Sequence, residues 1–309
     1  MRYFIENSPR TIFWALALAG TCLAIGATTI TDFDLWWHLK TGEIIWLWRQ
    51  IPKFDIFSYT AGGNAWVNHE WLFQIISWLL YSKIGVNALV CLKLSLTILL
   101  TICLFKTFDL LANSKSAALW GCVIVLYGSA DRILERPHLF SMVFIAFYCL
   151  SLHRFGNCVT TQKDCHPCES RDPNDNGNLW ILPIIQVVWS NIHGGAIFGC
   201  ELIIAFTIGE TIQYFFAGPT PLSKNKLHHL WTISAASVLA LCINPSGIDI
   251  LLFSASHLKM QAILEHTQEW LPVLDPRFDG IVPQIIFRII LVATLISYLV
   301  NRKNVRLSH

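Results

Sequence analysis

An uncharged apolar run, residues 11–31, ends directly on Asp32-Phe33-Asp34-Leu35-Trp36-Trp37-His38. At about 1.5 Å of rise per helical residue such a run matches the thickness of a hydrocarbon core, and Arg2 and Arg10 stand before it. It therefore reads as an anchor with the N-terminus in the cytoplasm and Asp32 outside. The alternative is a cleaved signal peptide ending near Ala24-Ile25-Gly26-Ala27, but the run exceeds the usual signal core of roughly 7–15 residues. Composition agrees with the anchor: 54% of residues are hydrophobic, 14% are charged and the mean hydropathy is +0.51. Soluble domains carry roughly 25% charge, so the chain reads as an integral membrane protein. A net charge of +2 spread along 309 residues offers no basic surface, which excludes a nucleic-acid partner.

The apolar segments predict an all-α transmembrane bundle of about eight spans, at residues 11–31, 86–108, 117–131, 138–153, 179–193, 195–217, 230–244 and 281–300. Residues 71–81 are apolar but about half the length of a span, so they either cross as a ninth or lie in the interface. Counting Lys and Arg outside the spans favours eight: twelve fall inside and eight outside, against seven and thirteen with nine spans. Residues 1–309 then form one domain, with both termini cytoplasmic. Residues 32–85 form a first external loop, 154–178 a polar cytoplasmic loop, and 245–280 the last external loop. Seven of the thirteen Trp fall between Trp36 and Trp78, which suits helices lying in the headgroup layer.

This topology sends the concentrated polar motifs to the outer side. Asp32 and Asp34, two residues apart, can face one substrate or cation, and either can act as a general base toward a hydroxyl. Trp37 and His38 add stacking surface and a titratable partner. The turn Asp131-Arg132-Ile133-Leu134-Glu135-Arg136-Pro137-His138 holds five ionisable groups. In it an Arg beside an acid pair can hold a phosphate in a two-pronged grip while a carboxylate binds a metal or a proton, and mutual neutralisation is the plain alternative. His69-Glu70 cannot begin a zinc-protease helix, because Phe73 stands where the second histidine belongs. Asn191 and His193, before Gly194-Gly195, sit at an outer turn that is either a site or simply structural. Asn244-Pro245-Ser246-Gly247 reads as a turn. Lys93, Glu201, Glu210 and Arg288 fall in or near apolar spans, Lys93 and Glu201 being the deeper two, either as cavity groups or as interhelical pairs.

Most of the ten cysteines lie in apolar segments, where cysteine acts as a small hydrophobe; Cys158, Cys165 and Cys168 share a polar loop with His166, a weak zinc pattern.

Four runs taken together carry a resemblance: residues 32–43 (Asp32-Phe33-Asp34-Leu35-Trp36-Trp37-His38-Leu39-Lys40-Thr41-Gly42-Glu43), Trp66-Val67-Asn68-His69-Glu70-Trp71-Leu72, Arg136-Pro137-His138-Leu139-Phe140-Ser141 and Trp189-Ser190-Asn191-Ile192-His193-Gly194-Gly195. The chain resembles a group of bacterial polytopic membrane proteins placed near the GT-C-type glycosyltransferases. The resemblance implies a polyprenyl-phosphate sugar as donor, an extracytoplasmic glycan, lipid or protein as acceptor, and a place in the bacterial inner membrane. It implies Asp34 or Asp32 as the catalytic acid of the first external loop, and Asp131 or Glu135 as a later one that can hold a divalent metal such as magnesium or manganese. His38, Trp37, His69, Glu70, Arg136, His138, Asn191 and His193 are the candidate substrate-binding residues. A non-catalytic membrane subunit or lipid-glycan carrier is the alternative. The transferase reading requires the Asp32–Asp34 turn and the Arg136–His138 corner to meet in one pocket.

Overall fold

The computed structural model describes residues 9–112, 114–160, 178–216, 222–251, 274, 275, 277 and 282–301. The helices are α1 (Pro9–Gly26), α2 (Asp34–Trp48), α3 (Trp71–Ile84), α4 (Val86–Ala112), α5 (Lys115–Gly128), α6 (His138–Thr160), α7 (Ile181–Ile192), α8 (Ile197–Phe215), α9 (Lys224–Leu241) and α10 (Val282–Asn301). Two 3-10 turns, Ala130–Arg132 and Gly194–Ala196, close the corners before α6 and α8. Among the described residues there is no sheet, only an isolated antiparallel bridge between Phe54 and Ala65.

Among the described residues three segments are long and apolar enough to cross a membrane: Val86–Ala112, His138–Gly156 and Gly194–Phe215. Shorter apolar helices cover Ile12–Gly26, Lys115–Gly128, Ile181–Ile192 and Gln284–Ser297. Their side chains are sorted as a lipid solvent demands. On α4, Leu99 and Ile102 face outward while Thr97 and Thr101 are buried; on α8, Phe198, Ile208 and Ile212 face outward while Thr207 and Glu210 are fully enclosed. Buried hydroxyls on these helices return their protons to the carbonyl one turn back, as Thr97 does to Lys93 and Thr207 to Ile203.

Helix α6 joins two packed groups. On one side it lies against α4, which also meets α5 and α1, around Leu100, Cys103, Leu126 and Leu139. On the other it meets α7 and α8, with α9 covering both, around Tyr148, Trp189, Ile203 and Leu230. Helices α2 and α3 form an antiparallel hairpin on the α4 and α7 flank. The hairpin closes at Gly42, where a Cβ would lie 2.1 Å from the Gln74 carbonyl oxygen, so only glycine lets the two backbones approach this far. Residues 71–81 therefore spend their apolar face on α2. Arg49 ends α2 in the left-handed conformation (φ 54°), with its N–H on the Ile45 carbonyl at 2.9 Å, a position usually given to glycine.

Expectation and structure part company at two ionisable residues. Glu201 lies on the exposed face of α8, not inside the bundle; Glu210, on the same helix, is the enclosed one. Lys93 is enclosed, and it is paired. Its Nζ lies 2.6 Å from Glu135 Oε1 and donates to Thr28 Oγ1 at 2.8 Å and to the Thr28 carbonyl at 3.0 Å. These bonds tie α4 to the exit of α1 and to the turn before α6. Removing one partner of a buried pair strands the other charge, at a cost of about 3–5 kcal/mol, whereas replacing both with apolar groups is often neutral. Lys93→Met should therefore lower the unfolding temperature in detergent sharply, and Lys93→Met combined with Glu135→Leu should recover most of the loss. An equal loss in single and double variants would show that the pair does not hold this end together.

Candidate functional site

Asp32 follows the end of α1 and precedes α2, and its Oδ1 accepts the Asp34 N–H at 3.2 Å. This local bond holds the turn that brings both carboxylates to one place. From the other side, Arg136 enters from the turn ahead of α6. Its Nε donates to Asp32 Oδ2 and its Nη2 to Asp32 Oδ1, both at 2.7 Å, the two-pronged geometry that suits guanidinium and carboxylate. Nη2 also lies 2.8 Å from Asp34 Oδ2. The Asp32 side chain is 3% exposed and that of Asp34 50%, so one carboxylate is fixed and the other open. Burial pushes the Asp32 carboxyl up, but the Arg136 hydrogen bonds and charge outweigh it and hold it below the usual range. Pro137 sets the chain for α6, whose first N–H groups bond back to the Arg136 and Pro137 carbonyls.

Beside this clamp lies a group of imidazoles around Glu70. Glu70 Oε2 is 3.8 Å from His38 Nδ1, and Oε1 is 3.7 Å from His69 Nε2, beyond hydrogen-bond length. Burial and the neighbouring Asp34 raise the Glu70 carboxyl to about 8, with Arg136 opposing. Burial lowers His38 to about 3 against the pull of Asp32. At neutral pH, then, Glu70 holds its proton and His38 is neutral, and their approach is not an ion pair. Trp37 packs on Trp66 at 6.2 Å between ring centroids, and His38 meets the edge of Phe73 at 5.1 Å.

The turn before α8 closes the site from a third direction. A Cβ on Gly194 would lie 3.2 Å from the His69 ring, so the turn packs directly on it. His193 has its tautomer fixed by its neighbours: the Gly195 N–H points at Nδ1 from 3.1 Å, which makes Nδ1 an acceptor. Ser141 Oγ, 2.8 Å away, donates to the same nitrogen, and Ser141 in turn accepts the Trp189 indole N–H at 2.6 Å. The proton of His193 therefore sits on Nε2. His138 likewise donates from Nε2 to the Arg132 carbonyl at 2.6 Å, and its ring lies 6.4 Å from that of His193. Asn191 is a tie: its Oδ1 accepts the Trp71 indole N–H at 2.9 Å, and its Nδ2 donates to the carbonyls of Val187 (2.7 Å) and Ile243 (2.8 Å).

Among the candidates from sequence, Asp32, Asp34, His38, Trp37, His69, Glu70, Arg136, His138, Asn191 and His193 thus belong to one contiguous end of the bundle. Asp131 and Glu135 do not pair there. Asp131, in the 3-10 turn, accepts from Gln284 of α10 at 2.9 Å, while Glu135, beyond that turn, is directed inward to Lys93. Among the described residues no group of three or more His, Cys, Asp or Glu is arranged to hold a metal ion, and Asp131 and Glu135 do not come together to hold one. The cysteine and histidine pattern at residues 165–168, and Glu265, His266 and Glu269, lie outside the described residues. Ser141 and Trp189 were missed as site residues. Both stand in the motifs quoted above, each a few residues from a histidine, which is the signal that marks them. Behind the clamp, a space of about 10 Å³ bordered by Ser77, Lys93, Glu135 and Arg136 has room for one water. Anything larger meets Asp34 from its open side.

Fold and site define a class: a helical protein with membrane-length segments and a carboxylate–guanidinium–imidazole cluster at one end. Comparison with protein-family models, curated proteins and solved structures finds no match for the chain.

The raised Glu70 carboxyl makes a pH prediction. A group whose folded pKa lies above its unfolded one binds its proton more tightly when folded, so stability falls as pH rises from about 4.5 toward 8. The lowered His38 acts in reverse below its unfolded value of 6.5, so the Glu70 effect stands alone between about 6.5 and 8. Unfolding temperature in detergent should fall across that window, and Glu70→Gln should flatten the fall while leaving the fold intact at pH 6.5. A variant as pH-sensitive as the wild type would place the titration elsewhere.

Proposed function

We propose that the protein is a GT-C-like glycosyltransferase that moves a sugar from a polyprenyl phosphate to an extracytoplasmic acceptor. The observation that carries this reading is the hold of Arg136 on Asp32 and Asp34 at once: one carboxylate buried and fixed, the other half exposed and shared. A lipid phosphate arriving from the open side takes the place of Asp34 on Nη2, since phosphate and carboxylate suit the same donors. Asp34 is then free to take the proton of an acceptor hydroxyl. The acceptor oxygen bonds to the anomeric carbon as the bond from that carbon to the phosphate breaks, with inversion. The departing polyprenyl phosphate keeps the electron pair, and its charge is met by Arg136 and by the N–H donor of His193. Trp37, His38, His69 and Glu70 border the sugar, with Glu70 able to donate a hydrogen bond as a neutral acid.

This reading places the chain in a bacterial inner membrane with eight spans and both termini cytoplasmic. Support comes from the contacts between loops that such a topology sends outward: Asp32 with Arg136, Trp71 with Asn191, and Asn191 with the Ile243 carbonyl. It needs no metal at Asp131 and Glu135.

One observation favours the other reading, a non-catalytic subunit: Glu201 on the exposed apolar flank of α8, where a carboxylate calls for a partner. Proteoliposomes containing the protein, a radiolabelled undecaprenyl-phosphate hexose and envelope glycan decide between them. Transfer by the wild type should drop by about 10²–10⁴ in Asp34→Asn, the usual loss of a general base, and by a similar factor in Arg136→Lys, which forfeits the two-pronged grip. Full transfer in Asp34→Asn rejects the assignment. No transfer by the wild type, with a partner protein that is lost in Glu201→Gln, establishes the subunit.

A further inference from the structure

At the far end of α2 from Asp34, about 20 Å along the helix axis, a groove of about 730 Å³ opens between the helix terminus, the loop that follows it and the turn after α9. Its walls include Trp48, Arg49, Lys53, Phe54, Ile56 and Pro245. The volume lies in the range of small-molecule sites, about 300–1,000 Å³. The chemistry of the walls is divided. Trp48, Phe54 and Ile56 are exposed apolar side chains, 59%, 59% and 42% accessible. Arg49 and Lys53 are exposed cations, and among the described residues no carboxylate pairs with either. The nearby acids are committed elsewhere: Glu43 to Lys40 at 2.7 Å, and Asp55 Oδ1 to the N–H groups of Phe57 and Ser58 at 2.9 Å.

Both cations are set in place by backbone structure. Arg49 is held in the left-handed conformation by its N–H bond to Ile45, and its guanidinium lies over the Trp46 ring at 4.1 Å. The Lys53 carbonyl accepts the Trp66 N–H at 2.8 Å, beside the Phe54–Ala65 bridge, so the loop that carries Lys53 is clipped. Two cations without counter-ions above a floor of exposed aromatic and branched side chains match one ligand, a negatively charged head on an apolar tail.

We propose that this groove binds an anionic phospholipid, with the phosphate between Arg49 and Lys53 and the acyl chains running along Trp48, Phe54 and Ile56. The site rests on the membrane reading alone and is independent of any transferase activity. It gives the first external loop a lipid of defined charge as its footing.

The test is native mass spectrometry of the full chain released from nanodiscs of dioleoylphosphatidylcholine doped with dioleoylphosphatidylglycerol. Arg49→Gly removes the guanidinium and suits the left-handed backbone, so the helix end survives; Lys53→Gln removes the second charge. Each cation near a lipid surface contributes a factor of five or so, and retained phosphatidylglycerol should fall about thirtyfold in the double variant. Phosphatidylcholine retention and unfolding temperature should stay unchanged, and raised salt should lower phosphatidylglycerol retention in the wild type. The proposal is overturned if the double variant keeps its phosphatidylglycerol or loses both lipids alike. It is equally overturned if millimolar inorganic phosphate strips the lipid from the wild type, which would mark a site for a free anion.

Discussion

A carboxylate taken from water into a helical bundle costs several kcal/mol unless a cation and further donors meet it there, and two of the carboxylates this protein buries, Asp32 and Glu135, are paired through one short turn. Each is met by its own cation, and the partners are interleaved. Glu135 turns inward to Lys93 on α4, while the next residue, Arg136, turns outward to Asp32 and Asp34. One short turn before α6 therefore ties down the exit of α1, the start of α2 and the second turn of α4. His38 and Glu70 stand beside that knot and feel its charges, those of Asp32, Asp34 and Arg136.

The imidazoles show what this environment does to chemistry. His193 and His138 have their protons directed by neighbours and act as donors from Nε2; His38 is kept neutral by burial; Glu70 keeps its proton past neutrality. The end of the bundle thus offers neutral hydrogen-bond donors around a single exposed carboxylate. The fixed positive charge beside that carboxylate is the guanidinium of Arg136.

The helical class and the three membrane-length helices were legible in the sequence, because hydropathy over windows of span length is a strong signal. So was the gathering of the Asp32, Arg136 and Asn191 motifs at one end, because helices that alternate in direction return every second loop to the same side. What was not legible depends on rotation about helix axes. Glu201 and Glu210 are nine residues apart, two and a half turns, so they must face opposite sides, yet nothing in the residues says which side is inside. Lys93 read either as a cavity group or as half of an interhelical pair, and the sequence could not name its partner, because Glu135 lies 42 positions away in a turn whose neighbouring residue points elsewhere. The α2–α3 hairpin hid behind the ambiguity of a half-length apolar segment; Gly42, opposite Gln74, was its mark.

The mutual neutralisation of Lys93 and Glu135 has an electrical consequence. A transmembrane voltage does work of about 2.3 kcal/mol per elementary charge per 100 mV, so a lone lysine at that depth would feel the membrane potential as a force. Joined at 2.6 Å, the two groups present a short dipole and no net charge. An applied voltage therefore finds a dipole at the knot and no free lysine charge to pull on, and the corner that holds Arg136 is braced by a neutral pair.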